Sequence, residues 1–264
     1  MQAIFDVQSI ADKRNLPVNW AGIKGLRHPI TIHDQTTSSV PITHASVAYF
    51  DMFVDLPAHQ KGTHMSRFVE ILNEAPITLS TGAFSNLLDT LITRLEAQNG
   101  FLSAKFPFFV QKSAPISGAK SLMDYEVELV ATLEAGVLAQ KLIVHVPITS
   151  LCPCSKKIAA YGAHNQRSVV IAQIWYQGHL SILEIVRSIE AQASCELYAL
   201  LKRPDEKVVT ERAYDNPKFV EDMVRDVARS LQDFGNIDRF IVSSENFESI
   251  HNHSAYAQIQ WEKA

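Results

Sequence analysis

Apolar positions along the chain recur either every second residue or every third and fourth, and the two periods divide it into strand-like and helix-like segments. Residues 46–54 (SVAYFDMFV) are rich in β-branched and aromatic side chains and predict a strand. A loop of Pro, Gly and His leads into residues 66–73 (SRFVEILN), a short helix, and Leu87, Leu88, Leu91, Ile92 and Leu95 follow at helical spacing. Strands are expected around 104–111 and 125–133, the latter alternating as Tyr125, Val127, Leu129, Ala131 and Leu133. The order then recurs, with strands at 137–148 and 169–176 and a helix carrying Ile182, Ile185, Val186 and Ile189. A further helix at 217–232 has Pro217 in its first turn and Val220, Val224, Val227 and Leu231 on its buried stripe. Strands at 239–243 and 254–261 end the series.

Strand, strand, helix, helix, strand, strand, read twice, implies hairpin-connected antiparallel sheet with helices on one face, an α+β layering. The expected division is a polar, turn-rich N-terminal segment at 1–27, a first unit at 28–135 and a second at 136–264 that carries most of the candidate site residues. The halves share element order, not residue identity.

A chain of 264 residues that is 47% hydrophobic has enough apolar material for a sizeable core. Its longest apolar runs, such as LIVHV at 142–146, fall far short of the roughly 20 residues that span a bilayer. Three cysteines cannot all pair within one chain, and no Arg/Lys-led apolar segment opens the sequence, so a cytoplasmic protein is expected. A formal net charge of −4 argues against a general nucleic-acid surface, whereas an anionic small molecule needs only a local basic patch. No membrane or nucleic-acid partner is expected.

Ten histidines are many, and several sit in polar stretches near other reactive groups. In TSLCPCSKKIAAYGAHNQRS (149–168), Cys152 and Cys154 flank Pro153, which places them at an irregular strand end. Residues two apart in an extended segment project to one side, so both thiols would face one pocket, and a ten-residue loop returns His164 to them. Lys156 and Lys157 make the stretch electropositive, which favours thiolate for metal ligation or nucleophilic attack. Cys195, in the helical-looking ASCELYALL, reads as a small buried hydrophobe. Glu206 sits in LKRPDEK, a charged loop whose plain reading is solvation, and Glu221 lies in a first helical turn, where the macrodipole alone favours an acid. Glu248, His251 and His253 gather an acid and two imidazoles just ahead of the last strand. Sulfur, imidazole and carboxylate donors together suit a catalytic transition-metal site, although spacing alone is a weak signal without an HExxH or CxxC pair.

Three long motifs, KGTHMSRFVE (61–70), SLCPCSKKIAAYGAHNQRS (150–168) and NFESIHNHSAYA (246–257), resemble the type IB GTP cyclohydrolase I family, and the likeness spans nearly the whole chain from VQSIADKRN onward. The resemblance implies a tunnelling fold (T-fold) of two tandem ββααββ units, closed into a barrel by oligomerisation, in a homo-oligomer that is commonly a tetramer. The implied reaction is metal-dependent hydrolysis of GTP to 7,8-dihydroneopterin triphosphate and formate, the entry to folate (tetrahydrofolate) and to 7-deazaguanine tRNA nucleosides.

Carried onto this sequence, the resemblance implies one divalent metal per site, zinc, manganese or iron, held by Cys152, His164 and Glu206, with Glu248 and His251 as nearby or alternative ligands. Cys154 is implied as the thiol that contacts the purine, the assignment of ligand and catalytic thiol between it and Cys152 staying open. Glu221 would anchor guanine by accepting from its N1–H and 2-amino group. His64, His251 and His253 are candidate proton shuttles, and Arg67, Lys156, Lys157, Lys202 and Arg203 are the cations available to the triphosphate. The alternatives are a nitrile reductase of the same fold, which needs NADPH and no metal, and a metal-carrying or redox-sensing protein without turnover.

Overall fold

The computed structural model describes residues 11–37 and 40–263. In chain order the elements are β1 (Val18–Asp34), β2 (Ile42–Leu56), α1 (Met65–Asn73), β3 (Thr78–Leu79), α2 (Phe84–Leu95), β4 (Gly100–Ser113), β5 (Lys120–Glu134) and β6 (Val137–Leu151). They continue with α3 (Pro153–Ile158), β7 (Asn165–Tyr176), α4 (Ile182–Glu190), β8 (Cys195–Glu196), α5 (Arg203–Asp215), α6 (Val220–Gln232), β9 (Ile237–Asn246) and β10 (Ala255–Glu262). The strands form one sheet in the order β10-β9-β7-β6-β5-β4-β2-β1-β3, with β8 added on β6. Every pairing is antiparallel except the two-residue contact of β1 with β3. This is a mixed α+β fold built on a large antiparallel sheet.

Register follows from burying one face. Leu26, Phe50, Ala104, Leu129, Leu142, Ile174, Phe240 and Trp261 are successive cross-strand partners, an apolar row that runs across eight strands beneath the helices. A one-residue slip anywhere would turn a whole strand's apolar set to the other face. That other face carries half-exposed and charged side chains, among them Asp51, Lys105, Glu126 and Glu128. The hairpin from β5 to β6 turns on Ala135 and Gly136, both at positive φ, so the chain crosses the expected division at residue 136 within a two-residue loop and the sheet continues unbroken.

Several elements depart from the sequence reading. β1 starts at Val18, inside the segment read as turn-rich to residue 27. Its pattern is masked by register shifts at Val18/Ala21 and Ile23/Leu26, and Gly22 lies so close to Met52 that an added Cβ would stand 2.0 Å from its carbonyl oxygen. Residues 1–10 of that segment lie outside the described residues. Cys195 is in a strand, not a helix, pairing with Thr149, although it is buried as expected. Glu206 lies in the first turn of α5, not in a loop. That helix buries only Asp205 and Ala213, so it has almost no apolar stripe for a period search to find. Cys152 and Cys154 do not share one extended segment: Cys152, itself still extended, caps α3 and Cys154 lies within the helix.

Candidate functional site

β6 delivers Cys152 to the end of the sheet, where four hydrogen bonds shape the turn. The Cys152 N–H donates to the His164 carbonyl (3.2 Å), and Cys152 Sγ accepts from the Ser155 N–H (3.4 Å). The Ser155 hydroxyl donates to the Cys152 carbonyl (3.2 Å) and accepts from the His164 N–H (3.2 Å). The loop at 159–163 therefore returns His164 beside Cys152. Cys152 is half-buried and Cys154 is exposed.

The His164 side chain is largely enclosed. Its Nδ1 lies 2.8 Å from Gln166 Oε1 and 3.8 Å from Glu248 Oε2. Glu248 follows β9 and is held there by the Phe247 N–H donating to the Arg167 carbonyl (3.1 Å). His251 and His253, farther along the same loop, are exposed, and their rings stack with centroids 5.2 Å apart.

α5 and α6 bring the remaining acids to the same end of the sheet. Asp205 is fully buried and accepts from Ile116 N–H, Ser117 N–H and Lys202 N–H (2.8 Å each) and from the Ser117 hydroxyl (2.6 Å), pinning α5 to the turn between β4 and β5. Burial alone would raise this carboxyl, but the Ser117, Lys202 and Ile116 bonds outweigh it and hold it well below the usual carboxylate range. Glu206 beside it is exposed, as are Lys202 and Arg203. The Lys218 N–H donates to the Leu151 carbonyl (3.1 Å), which docks the start of α6 next to Cys152. In α6, Asp222 accepts from the Phe219 N–H, while the exposed Glu221 carboxylate has no partner among the described residues. Lys156 is engaged: its ammonium donates to the Tyr214 carbonyl and sits 4.3 Å from that ring's centroid. Lys157 is exposed.

His64 and Arg67 are not brought to these groups. β2 leaves the sheet at Leu56, on the side where Val54, Gly100, Leu133 and Leu138 are level. That is the start of β6, whose 15 residues put its two ends roughly 45 Å apart. Among the described residues, no three His, Cys, Asp or Glu side chains converge closely enough to hold a metal ion. Cys152 and His164 are side by side with the Glu248 carboxylate adjoining, and Glu206 is exposed in the first turn of α5.

Sequence reasoning missed Gln166 and Ser150. Alternation along β7 turns Gln166 and Ser168 inward with Val170 and Ala172, and two polar residues at inward positions were the available signal.

A sequence model of the family described as type I GTP cyclohydrolase folE2 matches residues 4–257. The chain belongs to that family. A FolE2 GTP cyclohydrolase from Azoarcus sp. (strain BH72) is 55% identical over 262 residues, covering 99% of this chain and 96% of the relative. Another, from Dechloromonas aromatica (strain RCB), is 54% identical over 260 residues, covering 98% and 95%. FolE2 membership decides against the nitrile reductase. Among solved structures, uricase from Arthrobacter globiformis aligns with TM-score 0.53 at 10% identity over 93% of each chain. At that identity the likeness is one of fold alone.

Proposed function

We propose that the chain opens the imidazole ring of GTP at the Cys152 end of its sheet and releases formate and 7,8-dihydroneopterin triphosphate. It is a GTP cyclohydrolase of folate biosynthesis. The observation that carries the site assignment is the Cys152 to His164 backbone bond (3.2 Å), which pairs a thiol-bearing and an imidazole-bearing residue at the rim where Glu221, Glu206 and Glu248 also lie.

The donor chemistry of Cys152, His164 and either Glu206 or Glu248 fits one divalent transition metal, zinc, manganese or iron. When bound, such an ion acidifies water to a nucleophile near neutral pH. Glu221, exposed and acceptor-only, receives the N1–H and 2-amino hydrogens of guanine and fixes the ring. Cys154, exposed on α3, contacts the purine beside the carbon that is lost as formate. Protonation of the departing ring nitrogen, and the later proton transfers as the opened ribose closes onto the freed amine, fall to His251 and His253. Lys157, Lys202 and Arg203 are exposed cations at this rim for the triphosphate, whereas Lys156 is committed to Tyr214.

His64 and Arg67 reach such a site only from a second copy of the chain, which supports a homo-oligomer, a tetramer of T-fold barrels made from tandem ββααββ units at 28–135 and 136–264. No described helix is long and apolar enough to cross a membrane, and all three cysteines are free thiols, which agrees with a cytoplasmic setting. The test is chelator-stripped protein with GTP and single divalent metals, assayed with and without air for formate and for a fluorescent pterin after oxidation. Both products should return with metal and be lost in Cys154→Ala; full turnover by stripped protein would refute the metal, and no formate with any metal would refute the reaction.

A further inference from the structure

Gln166 is nearly enclosed, 9% exposed, between Ser150, His164 and Glu248. Its amide nitrogen lies 3.1 Å from Ser150 Oγ and 3.4 Å from Glu248 Oε1. A carboxylate only accepts, so the NH2 must face Glu248, and the amide oxygen is left facing His164 Nδ1 at 2.8 Å. An amide oxygen also only accepts. The proton of a neutral His164 must therefore sit on Nδ1, a tautomer the neighbouring Glu248 carboxylate favours as well. His164 Nε2 is thereby left with its lone pair free, and it has no hydrogen-bond partner among the described residues.

The amide is held from behind. Ser150 Oγ, which accepts from Gln166, is itself 2.6 Å from Ser168 Oγ, and both hydroxyls are buried. We infer that Gln166 is the positioning residue that locks His164 in its Nδ1–H form and presents Nε2 as the metal-binding nitrogen. This rests on the reading of His164 as a ligand. It assigns that reading an atom and a residue that enforces it. A side chain that merely filled space at 166 would be replaceable by Met, which has the length and volume of Gln without its acceptor.

The test uses the full chain, stripped of metal, as wild type, Gln166→Met, Gln166→Glu and His164→Ala. Two readouts are taken: the His164 tautomer from long-range proton–nitrogen NMR of the metal-free protein, and Zn2+ affinity by competition with a chromogenic chelator. Wild type should show a single Nδ1–H tautomer. Gln166→Met should mix the two tautomers and weaken Zn2+ binding by about 10–100-fold, the usual loss when the outer partner of a ligating histidine is removed. Gln166→Glu keeps an acceptor opposite Nδ1 and should restore the tautomer and most of the affinity. If His164→Ala weakens binding while Gln166→Met changes neither readout, the role given to Gln166 is wrong and the ligand stands. If His164→Ala leaves Zn2+ affinity intact, the ligand reading fails and this inference falls with it.

Discussion

Lys112 offers the sharpest test of what holds the site end together. Its ammonium is buried 2.8 Å from Glu190 Oε1 and 2.8 Å from Glu196 Oε2, and it lies 4.7 Å from the centroid of the Tyr198 ring. Tyr125 donates to Glu190 Oε1 (2.6 Å) and Tyr198 to Glu196 Oε1 (2.5 Å), so Lys112 neutralises the buried Glu190 and shares the half-buried Glu196 with Arg212 (3.5 Å). The ion pairs join β4 to the end of α4 and to β8, and β8 pairs with Thr149 three residues before Cys152. Lys112→Met would strand the Glu190 carboxylate in the interior, at a cost of about 3–5 kcal/mol, the range for breaking a buried pair from one side. At about 2 °C per kcal/mol for a chain this long, Tm should fall by about 6–10 °C.

The loss should also depend on pH. Burial raises the Glu190 carboxyl above its ordinary value, against the opposing pull of Lys112 and Tyr125. Without Lys112 it rises further. Between the ordinary glutamate value and the raised one, the folded state then binds more protons than the unfolded, so stability is present at low pH and is lost as pH rises through the folded value. Thermal unfolding of both proteins at about pH 5 and about pH 8 should show the larger deficit at the higher pH. Adding Glu190→Gln should recover part of it. A deficit below about 1 kcal/mol, or one equal at both pH values, would refute the argument.

Asp34, 1% exposed, accepts from the Ser181 hydroxyl (2.9 Å), Ile182 N–H (2.9 Å) and Leu183 N–H (3.0 Å) at the start of α4. Asp34→Ala should therefore cost about 1–3 kcal/mol in denaturant unfolding, and an unchanged midpoint would count against that cap. Glu221→Gln puts an amide donor opposite the guanine donors and should raise KM for GTP by about 5–150-fold, the equivalent of about 1–3 kcal/mol, with the fold intact by circular dichroism; an unaltered KM removes the anchor role. Cys154→Ala and His64→Ala, each inactive alone, should regain about a quarter of wild-type turnover when unfolded and refolded together, because half of random pairs are hybrids with one intact site. No recovery would mean that the two groups do not serve one site from different copies.

The fold was legible wherever the physics is local. Tyr125, Val127, Leu129 and Ala131 alternate because one face of β5 is under the helices, and Val220, Val224, Val227 and Leu231 repeat as they do because α6 lies on that face. The elements that stayed hidden draw their stability from elsewhere. β1 carries register irregularities that shift its period partway along. α5 is fixed by Asp205 reaching the turn between β4 and β5, a contact 88 residues away in sequence that leaves the helix itself polar on nearly every side. β8 is two residues long and exists because β6 offers it an edge.

The site was legible as chemistry and not as geometry. Cys152, His164 and Glu248 stood out as residue types, but the sequence reading kept both cysteines in extended backbone at an irregular strand end, whereas the thiol of Cys152 and the hydroxyl of Ser155 turn the chain there into a capped helix. That turn sets the two cysteines in different surroundings. Cys152 is fixed by its own backbone bond to His164 and shares its sulfur with the Ser155 N–H, while Cys154 points from the helix into the open. A group that must hold its place benefits from the first arrangement, and one that must meet an incoming ring needs the second. The exposure difference between the two thiols thus fits the roles proposed for them, Cys152 as a ligand and Cys154 as the thiol that meets the ring.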